Sequence, residues 1–124
     1  MSNNESKKLI YLIEDDNLLS EMYAMVLRDE GFDVDIIRDG ASAIARELNN
    51  VDLVLLDIRL PEVDGLEVLK NYRSRNYKGK VIVLTNNPQI DSVEAKKSGA
   101  DDFLIKSHTD IGEVLAIVKK HLSV

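Results

Sequence analysis

The chain has 124 residues, a formal net charge of −6 and no cysteine. This length fits one domain, and the excess of acidic residues argues against direct binding to the phosphate backbone of nucleic acids. The lack of cysteine excludes disulfides, thiolate metal sites and cysteine nucleophiles, and it is consistent with a cytoplasmic location.

The expected domain organisation is simple. Residues 1–7 are mostly polar with no apolar signal core after them, and we expect them to form a disordered tail. Residues 8–124 are expected to form a single domain, with no output domain in this chain. The apolar stretches are far shorter than the ~20 residues that a membrane-spanning helix needs, so we expect no membrane contact.

Five short apolar runs mark the candidate strands. They lie at residues 9–13, 34–37, 53–56, 81–84 and 103–105. Four of the five are unbroken, whereas a strand with one solvent-exposed face would alternate apolar and polar residues. The runs therefore predict a sheet that is covered on both faces, which is typical of parallel sheets.

Segments with helical periodicity separate these runs. Apolar residues at i, i+3 and i+4 predict two amphipathic helices. The apolar sets are Leu18, Leu19, Met22, Val26 and Leu27 in the first helix, and Ile111, Val114, Leu115, Val118 and Leu122 in the last. Gly31 and Gly99 suit the left-handed conformation that follows a helix. The predicted helix-start residues are Asp16, Asp39, Asp64 and Asn87, with Pro88 at a first helical position.

The order of elements is βα repeated five times. Strands that alternate with helices predict a parallel sheet with helices on both faces. The predicted fold class is therefore α/β, a three-layer, doubly wound fold around a parallel five-stranded sheet. No internal repeat or low-complexity segment interrupts the pattern.

Polar residues stand where the predicted strands end. Glu14 and Asp15 follow the first strand, Asp57 the third, Thr85 the fourth and Lys106 the fifth. In sheets of this kind, sites form at the carboxyl ends of the strands near a topological switch point. Clustered carboxylates repel one another unless a cation binds, and oxygen atoms are the ligands of hard ions such as Mg²⁺. An aspartate can attack a phosphoryl group when a metal ion and a lysine neutralise the negative charge.

Four motifs carry a resemblance to a known family. They are Leu-Ile-Glu-Asp-Asp at 12–16, Asp-Leu-Val-Leu-Leu-Asp-Ile-Arg-Leu-Pro-Glu-Val-Asp-Gly-Leu-Glu at 52–67, Val-Leu-Thr at 83–85 and Gly-Ala-Asp-Asp-Phe-Leu-Ile-Lys at 99–106. Each motif alone is weakly specific, but all four in this order and spacing are strongly specific. From Lys8 to Leu122, the chain resembles the CheY-like receiver domains of two-component response regulators.

The resemblance implies roles for the residues of the acidic cluster. Asp57 would be the phosphoacceptor and also a ligand of Mg²⁺ or Mn²⁺. Asp15 would bind the metal directly, Glu14 would assist through water, and the backbone carbonyl of Arg59 would complete the protein ligands. The implied strand order, 2-1-3-4-5, places the first and third strands side by side and so brings these acids together.

The resemblance also implies how the signal enters and leaves. The phosphoryl donor would be a sensor histidine kinase or a histidine phosphotransfer protein. Thr85 and Lys106 would contact the phosphoryl group, and Phe103 would rotate inward as Thr85 engages it. The surface formed by the fourth helix, fifth strand and fifth helix would then signal to an output protein. A second copy of this chain is one such partner, and it would form a phosphorylation-dependent homodimer. The chain would be a signalling domain and not an enzyme, with only self-catalysed phosphoryl transfer and slow autodephosphorylation.

Three residues depart from the usual family pattern. Ser107 stands where proline usually follows the strand-5 lysine, which implies either a trans bond with a reshaped loop or a strained cis bond. Ser107 or Thr109 is then expected to cap the last helix. Asn86 is larger than the usual residue after the strand-4 threonine. Arg59 lies two residues beyond Asp57, where the family tunes the lifetime of the phosphoryl group.

These departures keep other functions open. A pseudo-receiver would bind partners without phosphorylation. A small phosphatase using Asp57 would need a second acid two residues further on, where Arg59 stands. A flavin-binding module would need a loop rich in Ser, Thr or Gly after the first strand, where this chain has three acids.

Overall fold

The computed structural model describes residues 7–106 and 110–124. The strands are β1 (Leu9–Ile13), β2 (Asp33–Ile37), β3 (Leu53–Asp57), β4 (Lys80–Thr85) and β5 (Asp102–Ile105). The helices are α1 (Asn17–Asp29), α2 (Gly40–Ile44), α3 (Gly65–Ser74), α4 (Pro88–Lys97) and α5 (Ile111–Leu122). All strand pairs are parallel and the order is β2-β1-β3-β4-β5, which confirms the predicted fold class and topology. The predicted tail lies outside the described residues except for Lys7, and it stays a prediction.

Both faces of the sheet are covered by helices. In β1, Ile10 and Leu12 pack against α1 and α5, whereas Tyr11 and Ile13 pack against the face that carries α2, α3 and α4. Successive residues of a strand point to opposite faces, so a strand in this position must be apolar at every residue. This is the physical reason why the apolar runs are unbroken.

The helix boundaries follow the predicted capping residues at three starts. The side chains of Asp16, Asp39 and Asp64 accept hydrogen bonds from backbone N–H groups in the first turns of α1, α2 and α3. Gly31 and Gly99 follow α1 and α4 with φ angles of 101° and 106°, in the left-handed region that glycine adopts without a steric penalty.

One capping prediction was confirmed in position only, and one was wrong. Asn87 precedes α4, and Pro88 begins that helix as predicted, but the Asn87 side chain makes no capping hydrogen bond within the described part of the chain. The cap of α5 is Asp110, whose carboxylate accepts the N–H of Glu113 at 2.8 Å, because Asp110 directly precedes the first helical residue. Ser107 and Thr109, the caps that were predicted for that helix, lie outside the described residues, as does the predicted Lys–Ser peptide geometry.

The buried face of α1 also differs from the predicted one. The helix buries Ser20, Tyr23, Ala24 and Leu27, whereas Leu18 is 72% exposed. The apolar pattern located the helix correctly and included Leu27, but it missed Ser20, Tyr23 and Ala24, which lie on the buried face. In α5, by contrast, Val114 and Val118 are buried as the periodicity predicted. No helix within residues 7–106 and 110–124 has the length and apolar character to cross a bilayer.

Candidate functional site

The carboxyl ends of β1, β3, β4 and β5 meet at one edge of the sheet. Ile13, the last residue of β1, pairs with Leu56, the residue before Asp57. The backbone N–H of Lys106 donates to the carbonyl of Thr85 at 2.8 Å and so joins the end of β5 to the end of β4. The parallel register therefore brings the polar residues that end these strands to the same level.

Three carboxylates converge at this edge. One oxygen from each of Glu14, Asp15 and Asp57 lies within 4.8 Å of the others. Glu14 and Asp57 are buried, whereas Asp15 is exposed. The predicted grouping of these three acids is thus what the fold produces.

Lys106 is the cation nearest to two of these acids. Its Nζ lies 3.0 Å from Asp57 Oδ2, to which it donates a hydrogen bond, and 3.0 Å from Glu14 Oε1. Burial lowers the pKa of Lys106, but the hydrogen bond to Asp57 and the charges of Asp57 and Glu14 outweigh this effect and raise that pKa above its usual value. The ammonium group therefore stays charged at neutral pH.

Glu14 is the acid of this cluster whose ionised form is disfavoured by its surroundings. Burial raises the pKa of Glu14 to about 7, against a hydrogen bond from the N–H of Asp16 and the nearby Lys106 charge, and the charge of Asp57 adds to the increase. Lys106 forms an ion pair with Glu14 Oε1 at 3.0 Å, and it is the one group among the described residues that offsets the charge at this buried oxygen. The carboxylates thus outnumber the lysine that faces them.

This donor set fits a hard divalent cation. A like-charge pair at about 4 Å costs on the order of a few kcal/mol near a surface, and a bound cation removes that cost. Among the described residues, the buried Glu14 Oε1 pairs only with the Lys106 ammonium, which also pairs with Asp57, and carboxylate oxygens are ligands that Mg²⁺ accepts. The described hydrogen bonds of Arg59 come from its backbone N–H and its guanidinium, so the role of its carbonyl stays a prediction.

The carboxylate of Asp57 is fixed from two sides. Its Oδ2 accepts from Lys106, and its Oδ1 accepts from the backbone N–H of Arg59 at 3.0 Å. The loop that supplies this N–H passes close to α3, since a Cβ atom on Gly65 would lie 2.1 Å from the Asp57 carbonyl oxygen. Only glycine permits this approach, so Gly65 helps to set the orientation of the acceptor residue.

The hydroxyl of Thr85 is fully engaged. It donates to Asp91 Oδ2 at 2.6 Å and accepts from the backbone N–H of Asn87 at 2.9 Å. The other Asp91 oxygen accepts from the guanidinium of Arg59 at 2.6 Å. Thr85 is completely buried and Asp91 is 6% exposed, so α4 contributes a buried acid to the site.

The sequence of the chain matches the profile of the response regulator receiver domain over residues 10–119. The chain belongs to this family. It is therefore a signal-transduction domain of the two-component type, as the four motifs predicted.

The receiver domain has curated relatives that are about twice its length. It is 33% identical over 115 residues to the sensory transduction protein RegX3 of Mycolicibacterium smegmatis. The aligned region covers 90% of this chain and 50% of that protein. It is 39% identical over 102 residues to the DNA-binding response regulator MtrA of Mycobacterium leprae, covering 81% of this chain and 45% of that protein. The chain thus spans about half the length of the curated relatives it matches.

Solved receiver domains have the same architecture. A CheY-like receiver domain protein from Methanospirillum hungatei JF-1 superimposes with a TM-score of 0.86 at 28% identity, covering 95% of both chains. The receiver domain of sensor histidine kinase PA1611 from Pseudomonas aeruginosa PAO1 has a TM-score of 0.84 at 26% identity, covering 96% of this chain and all of the other. That second protein has a magnesium ion coordinated in its active site cleft.

Two further residues that the sequence analysis named lie near Thr85. Phe103 is half-buried and pairs with Val83, so it lies on the same sheet face as Thr85, two residues beyond Val83. Asn86 is exposed, directly after Thr85. The switching role of Phe103 and the effect of Asn86 on phosphorylation stay predictions.

Asp91 is the site residue that the sequence did not reveal. An acid in the first turn of a helix is common on protein surfaces, because it interacts favourably with the helix dipole. The signal that distinguishes Asp91 is its burial beside Thr85, and this depends on how α4 packs.

Proposed function

We propose that Asp57 accepts a phosphoryl group from a sensor histidine kinase or a histidine phosphotransfer protein. The observation that carries this proposal is the convergence of Glu14, Asp15 and Lys106 on the buried carboxylate of Asp57 at the end of β3. Neither general surface acidity nor strand capping requires three acids and a lysine at one point. A phosphoryl-transfer site requires both charges there.

The proposed chemistry is a displacement at phosphorus. An Asp57 oxygen attacks the phosphoryl group, the P–N bond of the phosphohistidine breaks, and its electron pair stays on the imidazole nitrogen. The two hydrogen bonds to Asp57 hold the carboxylate in a fixed orientation, which reduces the entropic cost of the attack. Lys106 is close enough to move from Asp57 to an oxygen of the transferred group.

A magnesium or manganese ion would be bound directly by Asp15, Asp57 and the carbonyl of Arg59. Glu14 would assist through a water molecule. When bound, the ion supplies positive charge that offsets the carboxylates and the incoming phosphoryl oxygens. The convergence of three carboxylates on one lysine and the magnesium ion in the Pseudomonas aeruginosa receiver domain support this assignment.

The proposed output is a change in the surface formed by α4, β5 and α5. Thr85 would contact the phosphoryl group and Phe103 would move inward with it. The receiver would act on an output protein or on an attached domain, since MtrA is a DNA-binding response regulator that extends well beyond the matched region. Phosphorylation-dependent pairing of two copies is the other form of output. The domain would work in the cytoplasm as a phosphoacceptor and not as a turnover enzyme.

Replacement of Asp57 by Asn tests the acceptor assignment. Incubation with acetyl phosphate and Mg²⁺ should add one phosphoryl group to the wild-type chain and none to Asp57→Asn, measured by intact-protein mass spectrometry. The exposed Asp33, at the opposite edge of the sheet, provides a matched control, and Asp33→Asn should label like the wild type. Labelling of Asp57→Asn at the wild-type level would refute the assignment. A wild-type chain that does not label would favour the pseudo-receiver.

A further inference from the structure

Thr85 and Arg59 are both bound to the same carboxylate. Asp91 accepts the Thr85 hydroxyl at one oxygen and the Arg59 guanidinium at the other, each at 2.6 Å. Thr85 belongs to β4 and Arg59 to the loop after β3, so Asp91 links α4 to two strand ends. The proposed phosphoryl acceptor lies two residues before Arg59.

We propose that Asp91 is a positioning residue that opposes the phosphorylated state by holding Thr85 and Arg59. This inference rests on the proposed function of Asp57 and adds a residue that regulates the same site. Phosphorylation would then require both donors to leave Asp91, and their departure would release the first turn of α4.

The competition follows from the number of protons available. A threonine hydroxyl donates one hydrogen bond, and Thr85 donates it to Asp91. A phosphoryl oxygen can receive that proton only if Asp91 gives it up. The bond that must break is a strong one, because its acceptor is charged and buried.

Arg59 would also have to leave the Asp91 carboxylate in order to bind a phosphoryl group. Its side chain is 65% exposed although its charged end is paired with Asp91, so it can move without opening the core. A phosphoryl group on Asp57 would offer the guanidinium a second anion. Asp91 would then be left buried without the donors that now satisfy both of its oxygens, which is unfavourable.

The start of α4 is therefore the element that responds. Asn87 precedes the helix and its N–H donates to Thr85 Oγ1, whereas its own side chain accepts no N–H of the first turn within the described residues. Asp91 lies in the first turn of the same helix. Rotation of Thr85 would thus release α4 at two points, and the unpaired Asp91 would favour movement of that turn towards solvent.

Beryllofluoride, which mimics the phosphoryl group on aspartate, tests the competition. With Mg²⁺ present, Asp91→Asn should bind beryllofluoride about tenfold more tightly than the wild type, since a neutral acceptor holds Thr85 and Arg59 less strongly. Glu94→Gln removes the same charge from an exposed position one turn further along α4, and its affinity should equal that of the wild type. The affinities come from titration followed by amide NMR.

A double-mutant cycle separates positioning from a general structural effect. In a Thr85→Val background, the gain from Asp91→Asn should shrink, because the competing hydroxyl is already absent. Asp91→Ala removes the acceptor completely and serves as the second variant if Asp91→Asn does not fold.

The possible outcomes distinguish the two proposals. If the wild type binds beryllofluoride through Asp57 but the Asp91 variants bind equally or more weakly, the role of Asp91 is refuted and the acceptor assignment stands. An Asp91 gain that is unchanged by Thr85→Val also refutes it. If no form binds, the proposed function fails and the role of Asp91 fails with it.

Discussion

Glu14 is completely buried, and it shares its surroundings with two other carboxylates. Lys106 offsets part of this charge, but it also serves Asp57. Removing carboxylates from water without full pairing is unfavourable, so the site is maintained at the expense of stability. A functional site that binds a cation gives a physical reason for such an arrangement.

Glu14→Gln should therefore stabilise the metal-free protein. The amide keeps the shape of the side chain and removes one negative charge, which we expect to raise the free energy of unfolding by on the order of 1 kcal/mol. The measurement is urea unfolding in EDTA and again with Mg²⁺. The wild type should gain stability from Mg²⁺, and the variant should gain much less.

Glu67→Gln provides the control for this comparison. Glu67 is exposed on α3, so its replacement should change the stability by less than about 0.5 kcal/mol and leave the Mg²⁺ response intact. Destabilisation of the metal-free protein by Glu14→Gln would contradict the account of charge strain.

Single residues were predictable where the strand pattern determined their position. Glu14, Asp57 and Lys106 were placed correctly because each comes directly after, or ends, an apolar run. Asp91 was not predictable, since a buried acid and an exposed acid in the first turn of a helix have the same local sequence pattern. Only the packing of α4 distinguishes them.

At the scale of elements, the contact between the end of β3 and the start of α3 determines where Asp57 points. Gly65 lies against the backbone of Asp57 and Ile58, and its N–H donates to the Ile58 carbonyl at 3.0 Å. The loop between them carries Arg59, which binds both Asp57 and Asp91. A small change in this contact would therefore alter the acceptor and its neighbours together.

Gly65→Ala should destabilise the protein by about 1–3 kcal/mol, because its Cβ would lie 2.1 Å from a backbone oxygen that cannot move aside freely. It should also slow the labelling of Asp57 by acetyl phosphate. Thermal unfolding and mass spectrometry measure the two effects.

Gly112→Ala is the matched control for Gly65→Ala. Gly112 is also near a helix start, but its added Cβ would meet only the Asp110 carboxylate, at 3.3 Å. The substitution should be neutral or stabilise α5 by up to about 1 kcal/mol, since alanine favours helix. Equal effects of the two substitutions would contradict a special role for Gly65.

The sequence predicted which elements form more reliably than how they pack. The apolar runs located all five strands, and four of them are unbroken because a strand covered on both faces leaves no polar position at its centre. The face of α1 was predicted only in part: Leu27 is buried as expected, but Leu18 is exposed and the buried Ser20 and Ala24 have little apolar signal in the sequence. Small residues allow close helix packing, but they give a weak hydrophobic signal.

At the scale of the whole molecule, the site exists only because of the topology. Its residues come from four strand ends that are far apart in the chain, from residue 14 to residue 106. The order β2-β1-β3-β4-β5 places β1 beside β3 and so forms the acidic cluster at the switch point. The order itself came from the family resemblance, because strand periodicity does not specify which strands are neighbours.

The most direct test of the central claim is a titration of the isotope-labelled chain with beryllofluoride, followed by amide NMR. In the presence of Mg²⁺, we expect saturable shifts around Asp57, Thr85 and Lys106 and at the start of α4. The same titration should cause no such shifts in EDTA or in Asp57→Asn. Shifts that are equal in the wild type and Asp57→Asn, or no response of the wild type with Mg²⁺, would contradict the account.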